Sequence, residues 1–247
     1  MPPILEARHI SKRFRIPSVK RSTVREHVLG ALRPSGTEEL VVLEDVSFSV
    51  ERGETLGIMG RNGCGKSTLL KILAGIYAPD KGEVVARGQI TPILELGVGW
   101  NRELDAIDNI LLLGSVMGMG LGELRRATDE ILAFAELERF ANLKLQHYSS
   151  GMASRLAYSV AFKAVREILI LDEVFAVGDA GFKERCEQRF RQLHAAGHTI
   201  IIVSHEPRAI AGFCQRAILL ETGTVRVSGE PASVLDAYKS AVSAEHA

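Results

Sequence analysis

The chain predicts an α/β fold, on three observations. Short apolar runs of strand length alternate with segments of helical spacing, the order expected of a sheet flanked by helices. Two of those runs, Ile168–Leu171 and Thr199–Val203, are almost unbroken apolar stretches, as strands buried on both faces are. A glycine-rich loop separates a third run, Thr55–Met59, from a helical segment at Ser67–Leu73, which is the strand–loop–helix order of a phosphate cradle.

Along the chain, Val46–Val50 alternates like a half-exposed strand and ends in the turn Glu51–Glu54. The loop after Met59 reads Gly60-Arg61-Asn62-Gly63-Cys64-Gly65-Lys66-Ser67 and fits G-x-x-x-x-G-K-[ST] at every fixed position. Glycines let consecutive N–H groups converge on phosphate oxygens that a Cβ would obstruct. In this pattern Lys66 reaches the β- and γ-phosphates and the Ser67 hydroxyl holds Mg²⁺. Ser67 and Thr68 open a helix whose dipole favours an anion. The loop predicts binding of a nucleoside triphosphate.

From about Asn101 to Val165 the strand patterns vanish, and Gly122–Ala135 carries helical spacing with acids and arginines on its other face. A helical lobe over about 101–165, inserted into the sheet-bearing lobe, is expected. Ala217–Leu220 and Val225–Val227, joined through Glu221–Thr224, read as a hairpin. Ala232–Tyr238 is helix-like, and a frayed tail is expected over about 241–247. The stretch from Pro17 to Thr37 is polar and basic, with Lys20, Arg21, Arg25 and Arg33. An excursion over about 17–41 is longer than ordinary connections, which leaves a functional reading open beside a solvated one.

Bulk properties exclude several classes. With 30 basic and 30 acidic residues the formal charge is zero, so no global field draws in nucleic acid or an anionic membrane. Three cysteines, Cys64, Cys186 and Cys214, lack C-x-x-C spacing, which suits a reducing compartment. No apolar run approaches the ~18–20 residues that span a bilayer. The start lacks the apolar middle of a signal peptide, so a cytosolic chain is expected, reaching a membrane only through a partner.

A phosphate cradle needs a second Mg²⁺ contact and a group that activates water. Ile168–Leu171 ends in Asp172-Glu173; Asp172 would hold the metal and Glu173 would polarise the attacking water. His205 follows the strand Thr199–Ser204, at the sheet end where α/β folds place ligands, and could stabilise charge on a γ-phosphate. His9, His27, His147, His194 and His198 lack such a position, and surface residence is expected for them. Tyr148-Ser149-Ser150-Gly151-Met152 opens another helix, with Ser149 as its N-cap and small residues that leave backbone N–H groups open to an anion.

This ordered set resembles the ABC ATPases, whose signature motif is usually Leu-Ser-Gly-Gly-Gln. Here Tyr148 stands for the Leu, Ser150 for the first Gly and Met152 for the Gln, and Ala176-Val177-Gly178-Asp179 falls at the D-loop. The resemblance covers essentially the whole chain, as one domain over 1–240. It implies the P-loop NTPase ABC ATPase fold: a RecA-like sheet lobe, the inserted helical lobe and an antiparallel β part. It implies ATP and Mg²⁺ as ligands, with Phe14 stacking on adenine. Phe14 as ordinary core is the competing reading. The Q-loop position falls on Glu95, either a contact to Mg²⁺ or water or a structural acid. Two copies would pair head to tail, each closing Ser149, Ser150 and Gly151 over the partner's P-loop.

More narrowly, Ile93–Trp100, Tyr148–Met152, Asp172–Phe182 and the polar excursion resemble the ATPase subunits of bacterial polysaccharide exporters: O-antigen, capsule and teichoic acid. This implies a transmembrane permease docked near Gly97–Arg102 and facing the excursion, with a short helix around Val24–Leu32. It also implies a place at the cytoplasmic face of the inner membrane, peripheral through that permease. Trp100 is either core or an exposed anchor there. No appended carbohydrate-binding domain is expected after Tyr238. The alternatives are the ATPase of an ABC importer, which shares every catalytic residue, or of an exporter of another substrate, and a soluble ABC ATPase acting on ribosomes or DNA.

Overall fold

The computed structural model describes residues 2–17, 37–94, 99–172 and 179–243. Among the described residues, nine strands form two sheets. β1 (Leu5–Pro17), β2 (Thr37–Val50) and β4 (Lys81–Ala86) make an antiparallel sheet in the order β2-β1-β4. The larger sheet has the order β5-β6-β7-β3-β8-β9, from β5 (Ile90–Ile93), β6 (Ile168–Asp172), β7 (Thr199–Val203), β3 (Thr55–Met59), β8 (Arg216–Glu221) and β9 (Thr224–Gly229). Its first five strands run parallel, and β9 closes the edge antiparallel to β8.

Every residue of β3 and β7 is buried, which explains why their sequences show no polar alternation. The period of two survives in the destination of each side chain. Ile168, Ile170, Ile201 and Val203 point into the core between the two sheets, which also takes in α1 (Lys66–Leu73). Leu169, Leu171, Ile200 and Ile202 point the other way, beneath Phe182, Cys186 and Phe190 of α5 (Ala180–Ala195). A separate core joins α2 (Ala106–Val116), α3 (Leu121–Ala135) and α4 (Ser150–Lys163) into the helical lobe. The remaining helices, α6 (Pro207–Phe213) and α7 (Pro231–Ser243), cover the outer face of β3 and β8.

α4 belongs to two cores at once. Leu156 and Val160 pack in the helical lobe, whereas Tyr158, Ala161 and Phe162 pack beneath α5. The entry to α2 is fixed by Asn109, fully buried, whose amide donates to the carbonyls of Asn101, Leu104 and Asp105 and accepts from Asn101 N–H. Trp100 is half-buried and packs against this lobe, nearer the core reading than an exposed anchor.

Three expectations change. Thr37–Val41 already pairs with β1, from Thr37 opposite Pro17 to Val41 opposite Arg13. The excursion therefore narrows to 18–36, which lies outside the described residues, as does the helix expected around Val24–Leu32. α7 continues to Ser243, past the position expected to begin the tail, and Ser243 donates back to the Lys239 carbonyl; residues 244–247 lie outside the described residues. His194 and His198 are half-buried rather than surface groups. His194 bridges Thr55 Oγ1 and the Gln215 amide at 3.1 and 2.9 Å, and His198 Nδ1 meets the Arg166 carbonyl. Both fold back under the N-terminal edge of the sheet, where their polar ends staple strands together.

Candidate functional site

The register of the parallel sheet gathers the expected residues at one edge. Ile58 of β3 and Asp172 of β6 both pair with Val203 of β7, so the three strands end level. The loop Gly60–Ser67 leaves β3 there, Asp172 closes β6, and His205 follows β7. His205 is exposed. Two adjacent carboxylates could have met separate fates, but only Asp172 can be placed; Glu173 lies outside the described residues.

The loop turns because its glycines permit it. Gly65 has φ 106 as the N-cap of α1, and a Cβ there would meet the Val42 carbonyl at 2.8 Å. Gly60 is excluded from bearing a side chain by the Leu220 carbonyl at 2.4 Å from its ideal Cβ. Any larger residue at either position forces the backbone to shift. The back of the loop is held by Gly223 of the β8–β9 turn, whose N–H donates to the Cys64 carbonyl at 3.1 Å.

Inside the turn, Lys66 is 7% exposed and its ammonium donates to the carbonyls of Gly60 and Arg61, both at 2.8 Å. A buried ammonium is costly without such acceptors, so the loop's own carbonyls stabilise the charge at the centre of the curl. The Ser67 hydroxyl donates to Asp172 Oδ2 at 3.5 Å. This brings together an alcohol and a carboxylate 105 positions apart in the sequence, the donor set that hard divalent cations take. The cavity in front of them, about 500 Å³, is lined by Val42, Asn62, Gly63, Gly65, Lys66, Ser67, Thr68, Leu94 and Asp172.

Cys64 turns inward and is buried. Burial pushes its thiol up from the ordinary range, against the opposing pull of the Lys66 charge, so it is a small core group rather than a reactive thiolate. Phe14 is half-buried on β1, in edge contact with Tyr77 at 6.0 Å between ring centroids and beneath the Lys12 ammonium at 5.6 Å. It does not line the cavity. Its cross-strand partner is Leu40, and Val42 on the same strand does reach the cavity.

Ser149, Ser150 and Gly151 are not brought to this cavity within one chain. Ser149 caps α4, accepting from Met152 N–H at 3.2 Å, and all three stand exposed. Tyr148 beside them is buried, and its hydroxyl donates to the Phe140 carbonyl at 2.8 Å. Glu95 and Ala176–Gly178 lie outside the described residues; Asp179 caps α5 by accepting from Phe182 N–H at 2.9 Å. Sequence reasoning missed the cavity walls Val42 and Leu94, which carry no local signal and arrive only by strand pairing.

Comparison with known proteins gives this geometry its family. The sequence pattern described as ABC transporter matches residues 43–176. The chain is 41% identical over 209 residues to the ABC transporter protein AbcA of Aeromonas salmonicida, covering 84% of this chain and 68% of that one. It is 35% identical over 245 residues to the O-antigen export system ATP-binding protein RfbB of Klebsiella pneumoniae, covering 98% and 100%. Among solved structures, a dimeric post-hydrolysis ATP-binding cassette bound to ADP and Pi aligns with TM-score 0.73 at 25% identity, over 92% of this chain and 98% of that one. No described helix is long and apolar enough to cross a membrane. The chain belongs to the ABC transporter family and is one of its ATPase cassettes.

Proposed function

We propose that this chain powers export of a cell-surface polysaccharide or lipid-linked glycan, as a homodimer bound to a separate transmembrane permease at the cytoplasmic face of the inner membrane. One observation carries the mechanism: Lys66, Ser67 and Asp172 converge on a single cavity, whereas Ser149–Gly151 stand exposed and do not line it. Such a chain holds a nucleotide alone but lacks the lid, and a second copy related by two-fold symmetry supplies it, giving two composite sites. The substrate class rests on the full-length similarity to an O-antigen export subunit.

The residues fit ATP and Mg²⁺. In the proposed site the cradle N–H groups from Gly60 to Thr68 bind the phosphates, and Lys66 exchanges its loop carbonyls for the β- and γ-phosphate oxygens. Ser67 and Asp172 would hold Mg²⁺, which neutralises charge on the β- and γ-phosphates. Glu173, adjacent to Asp172, accepts the proton of the attacking water as the γ-phosphoryl leaves ADP. His205, at the same sheet edge, donates to the phosphoryl oxygens. Phe14 takes the adenine face, with Leu40 and Val42 leading from it to the cavity. Binding of two ATP molecules favours the closed pair and hydrolysis releases it, a population shift that moves the attached permease.

Copurification with a membrane subunit, followed by a screen for the glycan that stimulates ATP hydrolysis, tests this reading. Stimulation by a lipid-linked glycan is expected. Stimulation only by a solute delivered from the external side, with a binding protein, would identify an importer instead.

A further inference from the structure

The walls of the nucleotide cavity come from two different sheets. The cradle Gly60–Ser67 leaves β3 of the parallel sheet, whereas Val42 belongs to β2 of the antiparallel one. A single buried glycine joins the two walls. The β8–β9 turn consists of Thr222 and Gly223, between the paired residues Glu221 and Thr224. Both turn residues have positive φ, 45 and 81, as tight hairpin turns that match strand twist require. The Gly223 N–H donates to the Cys64 carbonyl of the cradle at 3.1 Å, and the Gly223 carbonyl accepts from Glu44 N–H of β2 at 2.9 Å. One residue therefore grips both sheets beside the cavity.

Val42 is held between two glycines. Lys12 pairs with Leu43 and Arg13 with Val41, which leaves Val42 as the extra residue of a bulge. Bulges release backbone groups from the ladder and re-aim the side chain. The Val42 carbonyl points into the junction: an ideal Cβ on Gly65 would lie 2.8 Å from it, and one on Gly223 only 2.5 Å. Gly65 belongs to the cradle pattern itself. Gly223 comes from a hairpin that carries no such pattern. A Cβ there would also meet the Val42 carbonyl carbon at 3.0 Å and Leu43 Cα at 3.2 Å. All three neighbours are backbone, so no rotamer change relieves the clash, and β2 must separate from the turn.

We infer that Gly223 is a positioning residue for the nucleotide: it sets the span between Val42 on the antiparallel sheet and the phosphate cradle on the parallel one. A ligand that reaches only the cradle is indifferent to that span. A ligand that touches both walls loses affinity with any error in it. The inference rests on the ATP site proposed above.

The test compares affinity for Mg-ATP and for Mg-tripolyphosphate, by titration calorimetry on the full chain, in wild type, Gly223→Ala, Gly223→Asn and Gly229→Ala. Asn accepts the left-handed conformation that Ala resists but carries the same Cβ, so the pair separates turn strain from the clash with Val42. Both Gly223 variants should weaken ATP about tenfold while tripolyphosphate stays within about twofold of wild type. Gly229→Ala, at the other end of β9 where a Cβ meets nothing within 4 Å, should change neither. ATP affinity within about twofold of wild type in either Gly223 variant that folds, or equal losses for the two ligands, would overturn the inference. Should neither variant fold, amide exchange in the wild type carries the test. Bound ATP should slow exchange of the Gly223 and Glu44 N–H groups about tenfold more than bound tripolyphosphate does, and equal protection by the two ligands would overturn the inference. A wild-type chain that binds neither ligand would instead sink the nucleotide reading itself.

Discussion

The P-loop and the start of α4 are both helix N-termini preceded by small residues, yet the fold treats them oppositely. At the P-loop the cap is Gly65, with no side-chain oxygen satisfying the first N–H groups. The loop is braced from behind by Gly223 and walled by Val42, and it encloses the Lys66 charge. At α4 the Ser149 hydroxyl already caps the helix, and Ser150 and Gly151 face solvent. The first can concentrate phosphate by enclosure. The second gains a phosphate only when another surface presents one. On the proposed reading the two helix starts are a container and a detached lid, which is the physical case for a dimer.

Substitutions can break that contrast at either end. The largest effect is expected from Glu173→Gln, which should slow turnover by ~10²–10⁴ if it removes a general base. Bound ATP should persist, so a stable ATP-dependent dimer should appear by light scattering. In Lys66→Ala the container itself loses its charge. A hydrogen bond to a charged group is worth about 1.5–3 kcal/mol, so ATP affinity measured by titration calorimetry should fall roughly 10- to 150-fold. Phe14→Ala should weaken adenosine binding by about 1–3 kcal/mol if the ring stacks on the base. Unchanged affinity would return Phe14 to a packing role beside Tyr77.

The smallest effect is expected at Cys64. Burial raises its thiol pKa, so the group stays protonated at neutral pH and forms thiolate only as pH rises past the ordinary thiol range. Alkylation should accordingly be slow near pH 7 and accelerate in alkali. Cys64→Ala should leave turnover within about twofold of wild type, since a thiol and a methyl are similar in size.

What was legible in the sequence was local. Gly60–Ser67 announces itself because backbone curvature must be encoded where it occurs, and β6 and β7 because buried strands must be apolar residue by residue. Asp172 followed from its place at a strand end. The start of β2 was hidden, since Glu38 and Glu39 lie on an exposed arm of the ribbon and read as loop. His194 and His198 were misread because their partners, Thr55, Gln215 and Arg166, are supplied by other elements. The junction of Gly223 with Val42 draws on a hairpin turn and a bulge from separate sheets. No periodicity announces such a meeting. The segments around Glu95 and Glu173 lie outside the described residues, so their parts rest on sequence.

The central claim is that the lid comes from a second copy, and Gly151→Asp tests it most directly. A Cβ at Gly151 has room, its nearest neighbour being Ser149 Oγ at 3.8 Å, and an acid suits the first turn of a helix. The substitution should spare the subunit's fold and its own cradle while placing negative charge against a partner's phosphates. The account predicts ATP affinity of the isolated subunit within about twofold of wild type, with hydrolysis and ATP-driven dimerisation both abolished. Wild-type hydrolysis in Gly151→Asp, or loss of ATP binding by the isolated subunit, would contradict it.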